Sequence, residues 1–406
     1  VGAGGRFWGG RGATYLLVAL VGVELLGASF FLPFNRATAP GALTSLRPAV
    51  AHLLAAAEKG TPDPPARFLS ISDIFFDPGD KPEIERILGP QLSDDALYDY
   101  IIATKQKEVL IPNLPLYYRL PTMDGYDGGV LPLRHYVTLE RLYMPEGNVA
   151  IDGRLRENLD KVPDGRWLSL FNVRFVITDK VRDAWFDGVF YDLQMGAHLG
   201  LDDGADVGAV PAFPATALGV VYREAGAPQG VPLAELTVTL ADDRHLTLTL
   251  RTDGTAGAEE DRVARLTWQD VGTPTAISVR GLWPDGEVWV RGMSLIDERT
   301  GTFQSLVLSD NGRYRLVHSG DVKIYENLDV RPRATFVPQA VVVPDDQAAL
   351  DAMRAPDFDP ATTVMLVGNV GELGMRLGGD QAAVASSAEA RVALYEPERV
   401  IVEVTA

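Results

Sequence analysis

Between Ala13 and Phe34 the chain reads ATYLLVALVGVELLGASFFLPF, 22 residues in which Glu24 is the sole charge. A bilayer core offers no water to backbone N–H and C=O groups, so a segment of this kind is stable there only as a helix that satisfies its own hydrogen bonds. At about 1.5 Å per residue it reaches across a hydrocarbon core of about 30 Å. The competing reading is a cleaved signal peptide, whose apolar core is only about 7–15 residues long and ends at a small-residue cleavage site. This run is longer and finishes in Phe-Phe-Leu-Pro-Phe, so a transmembrane helix over 13–34 is expected. Arg6 and Arg11 precede it and only Arg36 follows closely. The positive-inside bias then puts residues 1–12 in the cytoplasm and 37–406 outside the cell membrane. Glu24, expensive near mid-membrane, is expected to face other helices and not lipid. The chain opens on VGAGG and closes on RVIVEVTA, within an alternating stretch that has no evident partner. A fragment of a longer polypeptide is therefore expected.

With 406 residues, 46% of them hydrophobic and 23% charged, the chain has material for two or three folded domains. Its 55 acidic residues against 37 basic ones leave a net charge of −18, with no Lys/Arg cluster. Phosphate-backbone recognition needs such a cluster, so no nucleic-acid partner is expected. The absence of cysteine removes disulfides, thiolate metal sites and Cys nucleophiles. His52, His135, His198, His245 and His318 are far apart, and no metal or other cofactor is expected. The LDDGAD turn, 201–206, has carboxylates for Ca²⁺, but lacks the twelve-residue loop and its closing Glu. A solvated acidic turn is the preferred reading.

Residues 37–213 mix helical and strand patterns. Helices are expected in SLRPAVAHLLAAAEKG, over 81–88 and 93–105, and in LPLRHYVTLERLY, GRLRENLDKV and GRWLSLF. Strands are expected in RFLSISD and in VRFVITD, 173–179. From 214 to 326 the period changes to two, with at least seven short strands punctuated by Asp253-Gly254, Pro284-Asp285-Gly286 and Asn311-Gly312. The expected fold is α+β with an inserted antiparallel β-sandwich of jelly-roll, galactose-binding-like type, preceded by one transmembrane helix. Residues 327–406 return to the α+β domain, with strands in FVPQAVVVP and TTVMLVG, a helix at 346–354, and the start of a truncated C-terminal β region.

No Gly-x-Ser-x-Gly elbow, Walker-type loop or His-Glu-x-x-His is present. The densest polar-aromatic loop is MDGYDGG, 123–129, where Asp124 and Asp127 flank Tyr126 and the next helix brings Arg134, His135 and Tyr136. Such a set can hydrogen-bond sugar hydroxyls and stack a ring. The plainer reading is that Asp-Gly and Asp-Gly-Gly make turns over a core tyrosine. Alternation places Trp289 and Trp268 in the core. Trp283, just before Pro284-Asp285-Gly286, is expected at a loop rim as a sugar platform. In DVKIYENLDVRPRATFV, 321–337, IYEN reads as the last strand of the sandwich and Asn327–Asp329 as a turn. Pro332 between Arg331 and Arg333 stiffens the return. One of these arginines is expected to pair with a carboxylate as a structural clamp, with contact to a lipid-linked phosphate as the alternative.

Taken in order, RFLSISD, MDGYDGGVLPLRHY, FNVRFVITD and DVKIYENLDVRPRATFV behind a membrane helix resemble the C-terminal part of YfhO-like bacterial membrane proteins, relatives of GT-C glycosyltransferases. Phe175 stands where that family commonly has Tyr, and VRPRATF replaces LPRAF. The resemblance implies a multi-spanning enzyme that moves a sugar from a polyprenyl-phosphate carrier to a cell-envelope glycan or polymer. Its catalytic acid would lie upstream, so no catalytic residue is carried over and this part is expected to recognise the acceptor. The alternative is a non-catalytic, membrane-tethered glycan-binding or structural ectodomain. An independent hydrolase has no visible nucleophile and base.

Overall fold

The computed structural model describes residues 11–30, 32, 37–58, 64–125, 133–145, 147–149, 154–252, 260–368, 388–396 and 398–405. In chain order the first elements are α1 (Arg11–Phe30), α2 (Pro48–Glu58), β1 (Arg67–Ser70), α3 (Lys81–Leu88), α4 (Asp94–Glu108), α5 (Leu114–Tyr118), α6 (Arg134–Glu140) and α7 (Gly165–Leu170). Strands follow: β2 (Val173–Thr178), β3 (Asp183–Phe186), β4 (Val189–Asp192), β5 (Ala197–Leu199), β6 (Gly204–Asp206), β7 (Ala215–Glu224), β8 (Pro232–Leu240) and β9 (His245–Arg251). The series continues with β10 (Arg262–Gly272), β11 (Pro274–Gly281), β12 (Val288–Asp297), β13 (Thr302–Leu306), β14 (Tyr314–Ser319) and β15 (Lys323–Asn327). It closes with β16 (Gln339–Val343), α8 (Asp346–Arg354), β17 (Thr363–Val367), β18 (Glu389–Glu396) and β19 (Arg399–Thr405). The protein is mostly β-sheet, in several antiparallel sheets, with one apolar helix near its N-terminus.

Chain contacts define two units, Val1–Ser45 with Pro78–Thr104, and Leu46–Asp77 with Lys105–Ala406. In the smaller unit, Gly12–Phe30 is long and apolar enough to cross a membrane, and none of it is buried within the protein. In α3, a Pro in the first turn and Glu83 favour the helix start, while Ile84 is its buried contact.

The larger unit begins with a four-stranded sheet of order β1-β2-β15-β14. β1 and β2 are parallel, and β15 runs antiparallel to β2. Both faces are covered, which suits the apolar runs in its strands. On one face Phe68, Phe175, Ile177 and Ile324 meet Ala49, Val50 and Leu53 of α2. On the other, Leu69, Val173, Val176 and Tyr325 meet Trp167 and Leu168 of α7. A five-stranded sheet (β10-β7-β12-β13, with β5 on β12) and a four-stranded sheet (β6-β11-β8-β9) share a second apolar core. Leu218, Val220 and Tyr222 of β7 and Leu236 and Val238 of β8 lie in it.

Several sequence expectations change. β15 pairs with β2, and β14 with β15, so IYEN is not the last strand of the inserted β region. That region also starts earlier, since β5 and β6 already pair into its sheets. Alternation identifies a strand without naming its neighbour, which long-range burial chooses. The helix expected in GRLRENLDKV is reduced to a 3-10 turn at Arg156–Asn158, with Leu159 extended. Leu155, Leu159 and Val162 are all buried, and packing overrides helical propensity there. β19 does have a partner, pairing with β18 from Arg399 to Thr405.

Candidate functional site

Every residue of β15 is buried, and each polar one has an assigned neighbour. Lys323, 1% exposed, reaches Asp192 at 2.8 Å and also pairs with Asp183. The Tyr325 hydroxyl donates to Asp192, and burial holds it neutral. Glu326 accepts from Arg174 Nη2 at 2.7 Å and from Arg315. Burial opposes its ionisation, but the hydrogen bonds from Arg315 and Arg174 outweigh that and hold the carboxyl below its usual range. Asn327 donates to Ser169 Oγ and to Val173 O, both at 3.0 Å, and its Oδ1 accepts from Asp329 N–H at 3.0 Å, closing an Asx turn.

That turn delivers Arg331 and Arg333 to the edge of the sheet. Arg331 pairs with Asp359 at 3.2 Å. Among the described residues Arg333 has neutral acceptors alone: Asn172 Oδ1 at 3.0 Å, Pro65 O at 2.8 Å and the Tyr395 hydroxyl at 3.3 Å. Asn172 was not singled out by sequence, yet it is the hinge of the arrangement. Its φ of +58° is a left-handed conformation that Asn tolerates better than most side chains. From it the amide donates to Arg331 O at 2.6 Å while the carbonyl accepts from Arg333. The sign was its place before a buried strand, in Phe171-Asn172-Val173, where a chain must turn sharply.

These residues border a cleft of about 640 Å³, within the range of small-ligand sites. Its lining combines apolar Leu53, Ala56, Phe68, Leu120 and Phe175 with polar Asn172, Arg174, Glu326, Arg331 and Arg333. Beside it, burial and the neighbouring charge of Arg333 lower the pKa of Arg67, whose Nη1 donates to Phe171 O at 2.8 Å. Two adjacent guanidiniums thus bind neutral oxygens in a chain of net charge −18. The arrangement fits an anion attached to an apolar body.

Of the MDGYDGG loop the structure describes Met123, Asp124 and Gly125, and the first two are buried. Asp124 is 7% exposed, and its Oδ1 accepts from Leu155 N–H at 2.8 Å and Gly125 N–H at 2.9 Å. Burial raises its carboxyl to about 6, against the opposing pull of those N–H groups and Arg156. Tyr136 donates to Met123 O at 3.1 Å and is raised by burial. Arg134 projects outward and pairs with Asp346 at 3.2 Å, with His135 3.9 Å from the same carboxylate. Tyr126 and Asp127 lie outside the described residues.

The tryptophans exchange roles. Trp283 is 5% exposed and sits in the core shared by the two larger sheets, not at a rim. The turn folds back so closely that a Cβ on Gly286 would lie 2.7 Å from its ring. Trp268 packs against the same core. Trp289, expected inside, lies on the other face of its sheet, stacked on His198 at 4.6 Å with Arg291 at 4.6 Å from its ring. Its neighbours already occupy it. Among the described residues the tryptophan left open is Trp185, at 64% exposure.

In LDDGAD, Asp202 pairs with Arg280, Asp203 accepts from Gly200 N–H at 2.9 Å, and Asp206 belongs to β6. Among the described residues no group of three or more His, Cys, Asp or Glu is placed to hold a metal. No family model, curated protein or solved structure matches the chain.

Proposed function

We propose that this chain is the C-terminal extracytoplasmic part of a YfhO-like, GT-C-related membrane glycosyltransferase, with the β region of two core-sharing sheets serving as an inserted jelly-roll-type sandwich. Its cleft would hold the phosphate and the first apolar units of a polyprenyl-phosphate-linked sugar, beside a cell-envelope acceptor. One observation carries the reading: three separated sequence words converge on the cleft. RFLSISD contributes Phe68, FNVRFVITD contributes Asn172, Arg174 and Phe175, and the final stretch contributes Glu326, Asn327, Arg331 and Arg333. The apolar lining residues and the neutral oxygens that Arg67 and Arg333 bind support an amphiphilic anion as ligand. The N-terminal apolar helix supports attachment to a membrane, and the flanking arginines support an outer location for 37–406.

In a second reading, a non-catalytic membrane-tethered glycan-binding ectodomain, the cleft binds its ligand without chemistry, as the state of the nearby carboxylates allows. Glu326 is held by Arg174 and Arg315, and Asp359 by Arg331, leaving neither disposed as a base. Membranes bearing the full reading frame separate the two. With a radiolabelled polyprenyl-phosphate sugar, the enzyme reading predicts transfer to envelope material that falls at least about tenfold in Arg333→Glu, the scale of losing a charged ligand contact. Equal transfer by variant and wild type contradicts the cleft's role, and no transfer by wild type leaves the tethered reading.

A further inference from the structure

We propose that a small cavity where β5, β12 and the Ser309–Asn311 segment meet is an oxyanion site, sized for one phosphate group. It depends on neither the cleft nor the membrane helix.

Strand pairing sets the position of the indole at this junction. His198 of β5 stands directly across from Trp289 of β12, and the two rings stack at 4.6 Å. Just ahead of β5, Gly196 bridges to Ser309, and Asp310 N–H donates to Gly196 O at 3.2 Å. A Cβ on Gly196 would lie 2.8 Å from Trp289 Nε1, so glycine is what lets the edge of the indole approach this crossing. Beside it lies a cavity of about 90 Å³ whose lining includes Lys161, Arg182, Gln194, Trp289, Asp310 and Asn311.

The lining is rich in donors that lack acceptors. Trp, Lys and Arg side chains donate hydrogen bonds and accept none. Among the described residues Trp289 Nε1–H has no acceptor, and the Lys161 ammonium has neither an acceptor nor an ion pair. Arg182 Nη2 donates to Asp160 O at 2.6 Å, which holds the guanidinium beside Lys161, and it pairs with no carboxylate. Gln194 is 7% exposed; its backbone N–H donates to Asp192 Oδ1 at 3.0 Å, but its side-chain amide has no partner among the described residues. A buried amide left unpaired is costly, which points to an occupant. Asp310 is the sole carboxylate of the lining, and its Oδ2 already accepts from His198 N–H at 2.8 Å. Near the indole, Arg223 and Arg291 likewise share one carboxylate, Asp261. Positive charge is thus in local excess within a chain of net charge −18. Cations are disfavoured there, and an acceptor-rich anion is matched. The volume is several times the roughly 10–15 Å³ that one water needs and well below the roughly 300 Å³ of ordinary small-molecule sites. A single compact oxyanion fits both limits.

The test is calorimetric titration of the full chain in detergent with sodium phosphate, at fixed ionic strength and in a Arg333→Glu background that removes the cleft's contribution. Saturable binding should persist in that background. Adding Lys161→Glu, at an exposed position, should weaken it at least about tenfold. Adding Trp289→Phe, which keeps a stacked ring and removes the N–H, should weaken it at least about threefold. No saturable binding in the Arg333→Glu chain, the result for a cavity that holds water alone, overturns the site and leaves the cleft untouched. Binding unchanged in either double variant also overturns it. Methyl phosphate separates the sources: binding equal to that of the inorganic ion supports a phosphate attached to a larger molecule, and binding of the inorganic ion alone supports a site for the free ion.

Discussion

Asp124→Asn should remove a pH dependence of stability that the wild-type chain carries. The folded carboxyl is raised to about 6 from an ordinary 3.8, with burial as the largest cause. At about 1.36 kcal/mol per pH unit this is roughly 3 kcal/mol. Below 3.8 both states are protonated and there is no cost. As pH rises through the interval the unfolded chain ionises first, so stability is lost progressively, and above 6 the full cost is present. Asn keeps the acceptor for Leu155 and Gly125 and has no proton to lose. Urea unfolding in detergent, read from the transition that exposes buried Trp167, compares the variants at pH 4 and pH 8. The difference between Asp124→Asn and wild type should move by roughly 2–3 kcal/mol in favour of the variant between those pH values. Asp124→Ala abandons both N–H groups, one of them on buried Leu155, and should cost about 2–4 kcal/mol at either pH. A constant difference for Asp124→Asn, or one as damaging as Asp124→Ala at pH 8, would refute the argument.

Other outcomes follow from the same structure. Trp283→Ala, deep in the core, should destabilise by about 3–5 kcal/mol in thermal or urea unfolding, whereas Trp185→Ala should leave the midpoint nearly unchanged. Lys323→Met strands Asp183 and Asp192 against each other and should cost about 3–5 kcal/mol. Adding Asp192→Asn should recover part of that loss, and a double variant no more stable than the single one would argue against the ion-pair account.

The elements were largely legible in the sequence, and their partners were not. Period-two alternation marked β7 to β12 because each has one face in a shared core. Helical spacing located α2, α3, α4 and α8 for the same reason. Alternation could not show that β15 leaves the β region for β2, because that depends on Tyr325 and Ile324 finding covered faces far away in sequence. The Asn327 turn was readable because an Asx turn is local. Trp283 differs from its expected rim position, and Trp185 carries no sequence mark, for a related reason. Trp283 precedes a turn that folds over it, and Trp185 is opened by a hairpin whose other face is anchored. Arg333 stood out beside its proline, but its partner Asn172 is 161 residues away.

If the cleft binds a phosphate carried on an apolar chain, the full chain in nanodiscs should bind a polyprenyl phosphate more tightly than the matching polyprenol. Arg333→Glu should remove at least about tenfold of that preference, and Trp185→Ala should leave it intact. Equal affinity for phosphate and alcohol, or a preference unchanged in Arg333→Glu, would contradict it.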